Sequence, residues 1–141
     1  MILLDTNVLS ELMRSQPNRL VVEWIGKHQA TSLFITSLTE AEILYGLELL
    51  PEGKRRTALQ EAARSMFNID FAGRILPFDS DAAKKFGIIA AKRRIMGRPI
   101  SQIDAQIAAI ALSHHATLAT RNVADFEECG IKIINPWENK E

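Results

Sequence analysis

The chain has 141 residues, 17 Lys plus Arg against 17 Asp plus Glu, and 47% hydrophobic residues. Such a length and apolar content fit one folded domain, residues 1–141, and exclude intrinsic disorder. Balanced charge excludes a nucleic-acid binder that works by bulk positive charge, though not one with local patches. A lone cysteine, Cys129, excludes an intrachain disulfide and a zinc cage of cysteines, and fits a reducing cytoplasm.

The amino terminus has no basic region, and Asp5 interrupts its apolar run at once, so it is not read as a secretion signal. No apolar run approaches the ~18 residues that span a membrane. Ile2 to Leu4 is a continuous apolar run, the pattern of a strand covered on both faces. Asp5 follows immediately. It reads either as the N-cap of a helix starting near Val8 or as a carboxylate projecting from the strand's carboxyl end. Leu33 to Ile35 repeats the strand pattern. In the segment after it, Ser37 with Glu40 and Thr39 with Glu42 both fit a capping box, but only one pair can cap a given start. If the helix begins at Ser37, Glu42 lies one turn inside, beside the apolar stripe of Leu38, Ala41 and Leu44 to Leu47. Gly46, four residues on, would leave space beside that carboxylate.

The charged turn at Pro51 to Arg56 reads as a break between two helices. Ile75 to Phe78 is a third strand, and Phe86, Ile89, Ala90 and Arg93 to Gly97 follow a helical stripe. From Ala82 to Ile103 there are six basic residues and no acid. They read as a phosphate-contacting surface or as a solvated helix face. Arg94 and Arg98, which would share a helical face at i, i+4, are the candidate phosphate contacts. Ser101 with Asp104 fits a capping pattern, and Ile103, Ile107, Ile110 and Ala111 form the next stripe. A carboxylate beside that apolar face is costly unless paired or metal-bound. His114 and His115 end this helix, where positive charge suits the dipole. Ala116 to Ala119 and Ile131 to Ile134 are the last strands, with Thr120, Asn122 and Asp125 directly after the first of them. Asn122 reads as a cap or site residue, and Asp125 as a solvent-facing or site residue. Trp24, Trp137, Tyr45 and Phe126 are too scattered for a base-stacking platform and are assigned to the core or a subunit interface. Strands alternating with helices predict an α/β/α sandwich with a short, mostly parallel central sheet and a site at the strands' carboxyl ends.

Each acidic position is a weak signal, whereas their order and setting are specific. Ile2-Leu3-Leu4-Asp5-Thr6-Asn7-Val8-Leu9-Ser10, Thr39-Glu40-Ala41-Glu42-Ile43 with Gly46, and Ala72-Gly73-Arg74-Ile75-Leu76-Pro77-Phe78 form the first part of the pattern. Ile103-Asp104-Ala105-Gln106-Ile107-Ala108, Leu118-Ala119-Thr120-Arg121-Asn122 with Asp125-Phe126, and Asn135-Pro136-Trp137 complete it. Over essentially the whole chain the sequence resembles the PIN-domain family, and within it the VapC-type toxin ribonucleases of type II toxin–antitoxin pairs, in particular the FitB-like branch.

The resemblance implies that Asp5, Glu42 and Asp104 are metal-binding carboxylates and that Thr6 and Thr120 orient the cluster. The family's fourth acidic position falls at Asn122, and Asp125 is the acid that some members carry three residues further on. The implied activity is endoribonuclease hydrolysis of RNA phosphodiesters with Mg2+ or Mn2+, hard cations that prefer oxygen ligands. The implied partners are RNA, a cognate DNA-binding antitoxin, and a second copy of the chain in a homodimer or larger assembly on DNA. The rival is a non-catalytic PIN-fold partner of the antitoxin, acting in operator binding and autoregulation. A haloacid-dehalogenase phosphatase needs a second Asp where Asn7 stands. A nucleotide-binding fold needs a glycine-rich turn after the first strand, which Thr6-Asn7-Val8 is not.

Overall fold

The computed structural model describes residues 1–138. The short apolar runs form β1 (Ile2–Leu4), β2 (Leu33–Thr36), β3 (Ile75–Leu76), β4 (Thr117–Ala119) and β5 (Ile133–Ile134). They make one sheet in the order β3-β2-β1-β4-β5, with every described pair parallel. The chain builds outward from β1 to one edge, then returns to lay β4 and β5 on the other side. β1 is therefore where the strand order reverses. In an open parallel sheet, that is where a crevice opens beyond the strands' carboxyl ends.

Successive strand residues face opposite layers. Leu4 and Ala119 pack with α1 (Thr6–Leu12), α2 (Arg19–Gly26), α3 (Ser37–Glu48) and α4 (Lys54–Ser65), through Val8, Val21, Trp24, Ile43 and Leu47. Leu3 and Leu118 pack with α5 (Ser80–Ile95) and α6 (Gln102–Ser113), through Ala82, Ile89, Ile107 and Ile110. The result is the expected α/β/α sandwich. Each large side chain fully buried this way contributes roughly 1.5–3 kcal/mol. Among the described residues no helix is long and apolar enough to cross a membrane.

Two helices depart from the expected pattern. α2 carries Leu20, Val21, Trp24 and Ile25 at helical spacing, and Asn18 caps it by accepting from the N–H groups of Leu20 and Val21. α5 starts at Ser80, before the visible stripe, because the Asp79 carboxylate accepts from the Ala82 N–H at 2.9 Å. It stops at Ile95. Gly97 turns left-handed at φ +77°, and the Arg98 N–H closes back on the Arg93 carbonyl at 2.8 Å. Arg98 therefore lies beyond the helix, and the expected shared helical face with Arg94 does not form. The basic run is also partly neutralised by distant acids. Arg98 pairs with Glu127 at 3.1 Å and Lys92 with Glu128 at 3.5 Å.

A third member of that run, Arg93, is buried. Its guanidinium donates to the carbonyls of Arg98 (2.7 Å), Asp125 (2.8 Å) and Glu127 (3.0 Å), and lies 3.6 Å from the Cys129 sulfur. It staples the turn after α5 to the segment that carries Asp125. Replacing Arg93 by Met leaves those carbonyls without a donor, at a cost of about 2–4 kcal/mol. Arg94→Met at the exposed neighbouring position stays within about 0.5 kcal/mol of the wild type. Urea unfolding midpoints compare the two. A loss below about 1 kcal/mol for Arg93→Met would show that water replaces the guanidinium there.

Candidate active site

Asp5 is the residue at which β1 becomes α1. Its N–H donates to the Ala119 carbonyl at 2.9 Å, which extends the β1–β4 ladder by one step and fixes the position of its side chain. The carboxylate is only 5% exposed. One oxygen accepts from the Thr6 N–H at 2.8 Å, and the other from the Thr120 hydroxyl at 2.8 Å and the Asn7 amide at 3.3 Å. One group thus fills both roles considered from the sequence, helix cap and cleft carboxylate. Burial raises its pKa from 3.8 to about 6. The Thr120 and Thr6 donors oppose that rise, and the charges of Asp104 and Glu42 add to it.

Glu42 comes from α3. Neither expected capping pair forms, because β2 runs one residue further than expected. The Thr36 hydroxyl takes the cap by accepting from the Thr39 N–H at 3.0 Å. Thr39 is then buried, and its hydroxyl lies 3.0 Å from that of Thr6, which donates to Glu42 at 2.7 Å. Thr6 has one proton to give, so Thr39 donates to Thr6. Thr36 in turn donates to Thr39 at 3.4 Å. Three hydroxyls therefore point their donors, one after another, toward the Glu42 carboxylate.

Asp104 sits in the first turn of α6, where its N–H donates to the Ser101 hydroxyl at 3.2 Å, the capping contact expected from the sequence. Its side chain is partly buried. Burial pushes its pKa up, as do the charges of Asp125 and Glu42, against the pull of the Ser101 hydroxyl and the Arg93 guanidinium. After β4, the Thr120 hydroxyl accepts from the Asn122 N–H at 3.1 Å. The Arg121 N–H donates to the Asn7 side-chain oxygen at 3.2 Å.

Asp5, Thr6, Glu42, Asp104 and Asn122 line one cleft of about 480 Å³. Asp125 does not line it. That residue is exposed in the short turn Val123–Phe126, where its charge acts on Asp104. Arg94 and Arg98 do not line the cleft either; its cations are Arg14 and Arg121. Sequence reasoning missed both, together with Glu11 and Trp137. Glu11 is buried, accepting from the Asn18 N–H at 2.9 Å and from Arg14 at 3.3 Å; these contacts hold its carboxyl below the usual range. The spacing of Asn7, Ser10 and Glu11 along α1, with Arg14 just beyond its end, was a usable signal. Trp137, assigned from sequence to the core or an interface, packs against the α1–α4 core and also forms part of the cleft wall. Gly46 lies in an adjoining groove of about 630 Å³ that shares Glu42 and Thr6. A Cβ there would meet nothing within 4 Å, so the expected space exists, but no close approach demands the glycine.

The acidic donor set is all oxygen, which suits a hard divalent cation. Among the described residues no three Asp, Glu, His or Cys side chains are grouped closely enough to cage an ion by themselves. Mg2+ commonly makes do with one or two carboxylates and keeps several waters, so the arrangement fits an ion held partly through water.

The buried Asp5 makes a pH prediction for the metal-free protein. Its carboxyl holds its proton up to about pH 6 when folded but releases it near 3.8 when unfolded. Stability from this group is therefore fully present below pH 4 and falls as pH rises through 6, by on the order of 2–3 kcal/mol. Asp5→Asn removes the dependence while keeping an acceptor for the Thr6 N–H. In urea unfolding with chelator, the variant is expected to match the wild type near pH 4 and exceed it above pH 6. Lower stability for the variant across the whole range would reduce the carboxylate to a cap.

Comparison with known proteins matches residues 2–131 to the PIN domain family model. The chain is 42% identical over 138 residues to the VapC ribonuclease Y4jK of Sinorhizobium fredii, covering 98% of this chain and 99% of that protein. It is 39% identical over 139 residues to the toxin FitB of Neisseria gonorrhoeae, covering 99% and 100%. The solved structure of FitAB bound to an IR36 DNA fragment superposes with a TM-score of 0.92 at 39% identity, covering 97% of this chain and 96% of that one. The chain belongs to the PIN-domain family and, within it, to the group of VapC ribonucleases and FitB toxins.

Proposed function

We propose that the chain is a metal-dependent endoribonuclease, the toxin of a toxin–antitoxin pair, which hydrolyses RNA phosphodiesters with Mg2+ or Mn2+ held at its acidic cleft. The observation that carries this reading is the gathering of Asp5, Glu42 and Asp104 from β1, α3 and α6 into one cleft. There the charge of Glu42 disfavours the ionised forms of Asp5 and Asp104, and that of Asp104 acts likewise on Asp5. A solvated surface cluster would relax by turning outward, but Asp5 is buried and held by three donors.

Asp5, Asp104 and Glu42 would hold the ion, with Asn122 on the same wall. A bound divalent cation supplies an activated water and neutralises charge on the attacked phosphate. Thr120 and Asn7 orient Asp5, and Thr6 orients Glu42, so each carboxylate presents a fixed oxygen rather than a mobile one. Asp125 acts on Asp104 from outside the cleft. Since Asn122 lines the cleft and Asp125 does not, Asn122 is the fourth site residue in this reading. A cognate DNA-binding antitoxin fits the FitB likeness, since FitAB was solved bound to a DNA fragment, and a homodimer is part of the same reading. Operator binding as part of such a complex and RNA cleavage by the free toxin are compatible.

Purified, antitoxin-free chain incubated with total cellular RNA is expected to cut it with Mg2+ and to stop with chelator. Asp104→Asn and Glu42→Gln are each expected to lower the cleavage rate at least ~100-fold while the fold melts cooperatively. Asp125→Asn should cost no more than about 10-fold. A wild-type chain that neither binds Mg2+ nor cuts RNA would leave the non-catalytic scaffold as the better account, whereas metal-independent cleavage, or full activity in Asp104→Asn, would overturn the acidic cleft as the metal-dependent site.

A further inference from the structure

We propose that Arg121 and Trp137 form a subsite for one unpaired ribonucleotide flanking the scissile phosphodiester, the guanidinium engaging its phosphate and the indole stacking on its base. The inference rests on the ribonuclease reading and adds to it the element that grips the substrate.

A cleft walled by Asp5, Glu42 and Asp104 repels a polyanion, so positive charge is needed at its rim. The candidates are Arg14 and Arg121. Arg14 is engaged with the buried Glu11 at 3.3 Å. Arg121 is exposed and makes no ion pair among the described residues; its guanidinium carbon lies 5.2 Å from the centre of the Trp137 ring. Trp137 is also the one aromatic side chain lining the cleft among the described residues. The guanidinium lies over the indole ring; drawn off to a phosphate it leaves a π-face for a base, so the pair offers the two surfaces that single-stranded nucleic acid uses.

The backbone of each residue is held in place by a side-chain amide. The Arg121 N–H is held by Asn7, whose amide donates to Asp5 and to Thr120 at 3.3 Å each. The Trp137 N–H donates to the Asn135 side-chain oxygen at 2.9 Å, and Pro136 between them is buried. The Arg121 backbone thus belongs to the hydrogen-bonded frame that orients Asp5, and Trp137 is held locally on the wall of the same cleft. A base can stack on Trp137 only if it has left its own helix, so the subsite favours loops and single strands over duplex RNA.

The test uses the Asp104→Asn chain as an uncut background, with Mg2+ and a fluorescein-labelled unstructured ten-nucleotide RNA read by anisotropy. Trp137→Leu, which keeps the apolar packing, is expected to weaken binding about 10-fold or more, and Trp137→Phe to recover it to within about threefold. In a series of RNAs each with one abasic position, one position should erase the difference between the Trp137→Leu chain and its parent. Arg121→Ala should lower the slope of log affinity against log salt by about 0.7. A purely structural tryptophan would leave Trp137→Leu and Trp137→Phe alike and no abasic position special, and either result overturns the subsite. Tight binding of duplex RNA equal to that of the single strand does the same. RNA cleavage by the wild type, with binding undiminished in Trp137→Leu and Arg121→Ala, sinks the subsite but spares the nuclease reading.

Discussion

The structure turns on a carboxylate buried at the end of its central strand. Burial makes ionisation costly there, and the nearby charges of Asp104 and Glu42 add a smaller amount. A fold optimised only for stability would place an apolar or amide side chain at Asp5. The molecule instead surrounds that carboxylate with the Thr6 N–H, the Thr120 hydroxyl and the Asn7 amide, and sets Asp104 and Glu42 nearby. These donors only partly offset the burial, since the group still titrates near pH 6. What remains is stored as an appetite for a proton or a cation, the usual exchange of stability for function.

The sheet was legible because parallel strands covered on both faces are written as unbroken apolar runs. Ile2 to Leu4 and Leu33 to Ile35 became strands almost as read, and the later runs lost only terminal residues. The acids were legible for a related reason. Each stands where an apolar run stops or a helix begins, so its position on the sheet's carboxyl side follows from the pattern. Helix ends were less readable. α3 is capped by a strand residue, Thr36, and α5 by Asp79, well before its apolar stripe. α2 carried a clear stripe that sequence reading passed over between two stronger landmarks.

The basic residues were the least legible part, and their reason is geometric. Arg93, Arg94 and Arg98 look alike in sequence, yet one is buried, one is exposed and one pairs with Glu127. Arg93 is fixed by backbone carbonyls from a segment more than thirty positions away, and carbonyl acceptors leave no side-chain signature. The same holds for Arg121 and Trp137, which meet only because β5 lies beside β4. A chain with no net charge can therefore still place cations where a polyanion would need them, while the obvious basic run is spent largely on structure.

The Thr120 hydroxyl reaches Asp5 across 115 positions of sequence, and Asp104 and Trp137 also arrive late. β1 is made well before β4 and cannot be flanked by it until residues 117–119 have been added. A growing polypeptide on the ribosome consequently carries Asp5 and Glu42 without the partners that would close the cleft around them. Products terminated before Asp104 would share that deficiency, so the order of synthesis keeps the acids from acting together until α6 and β4 have been added.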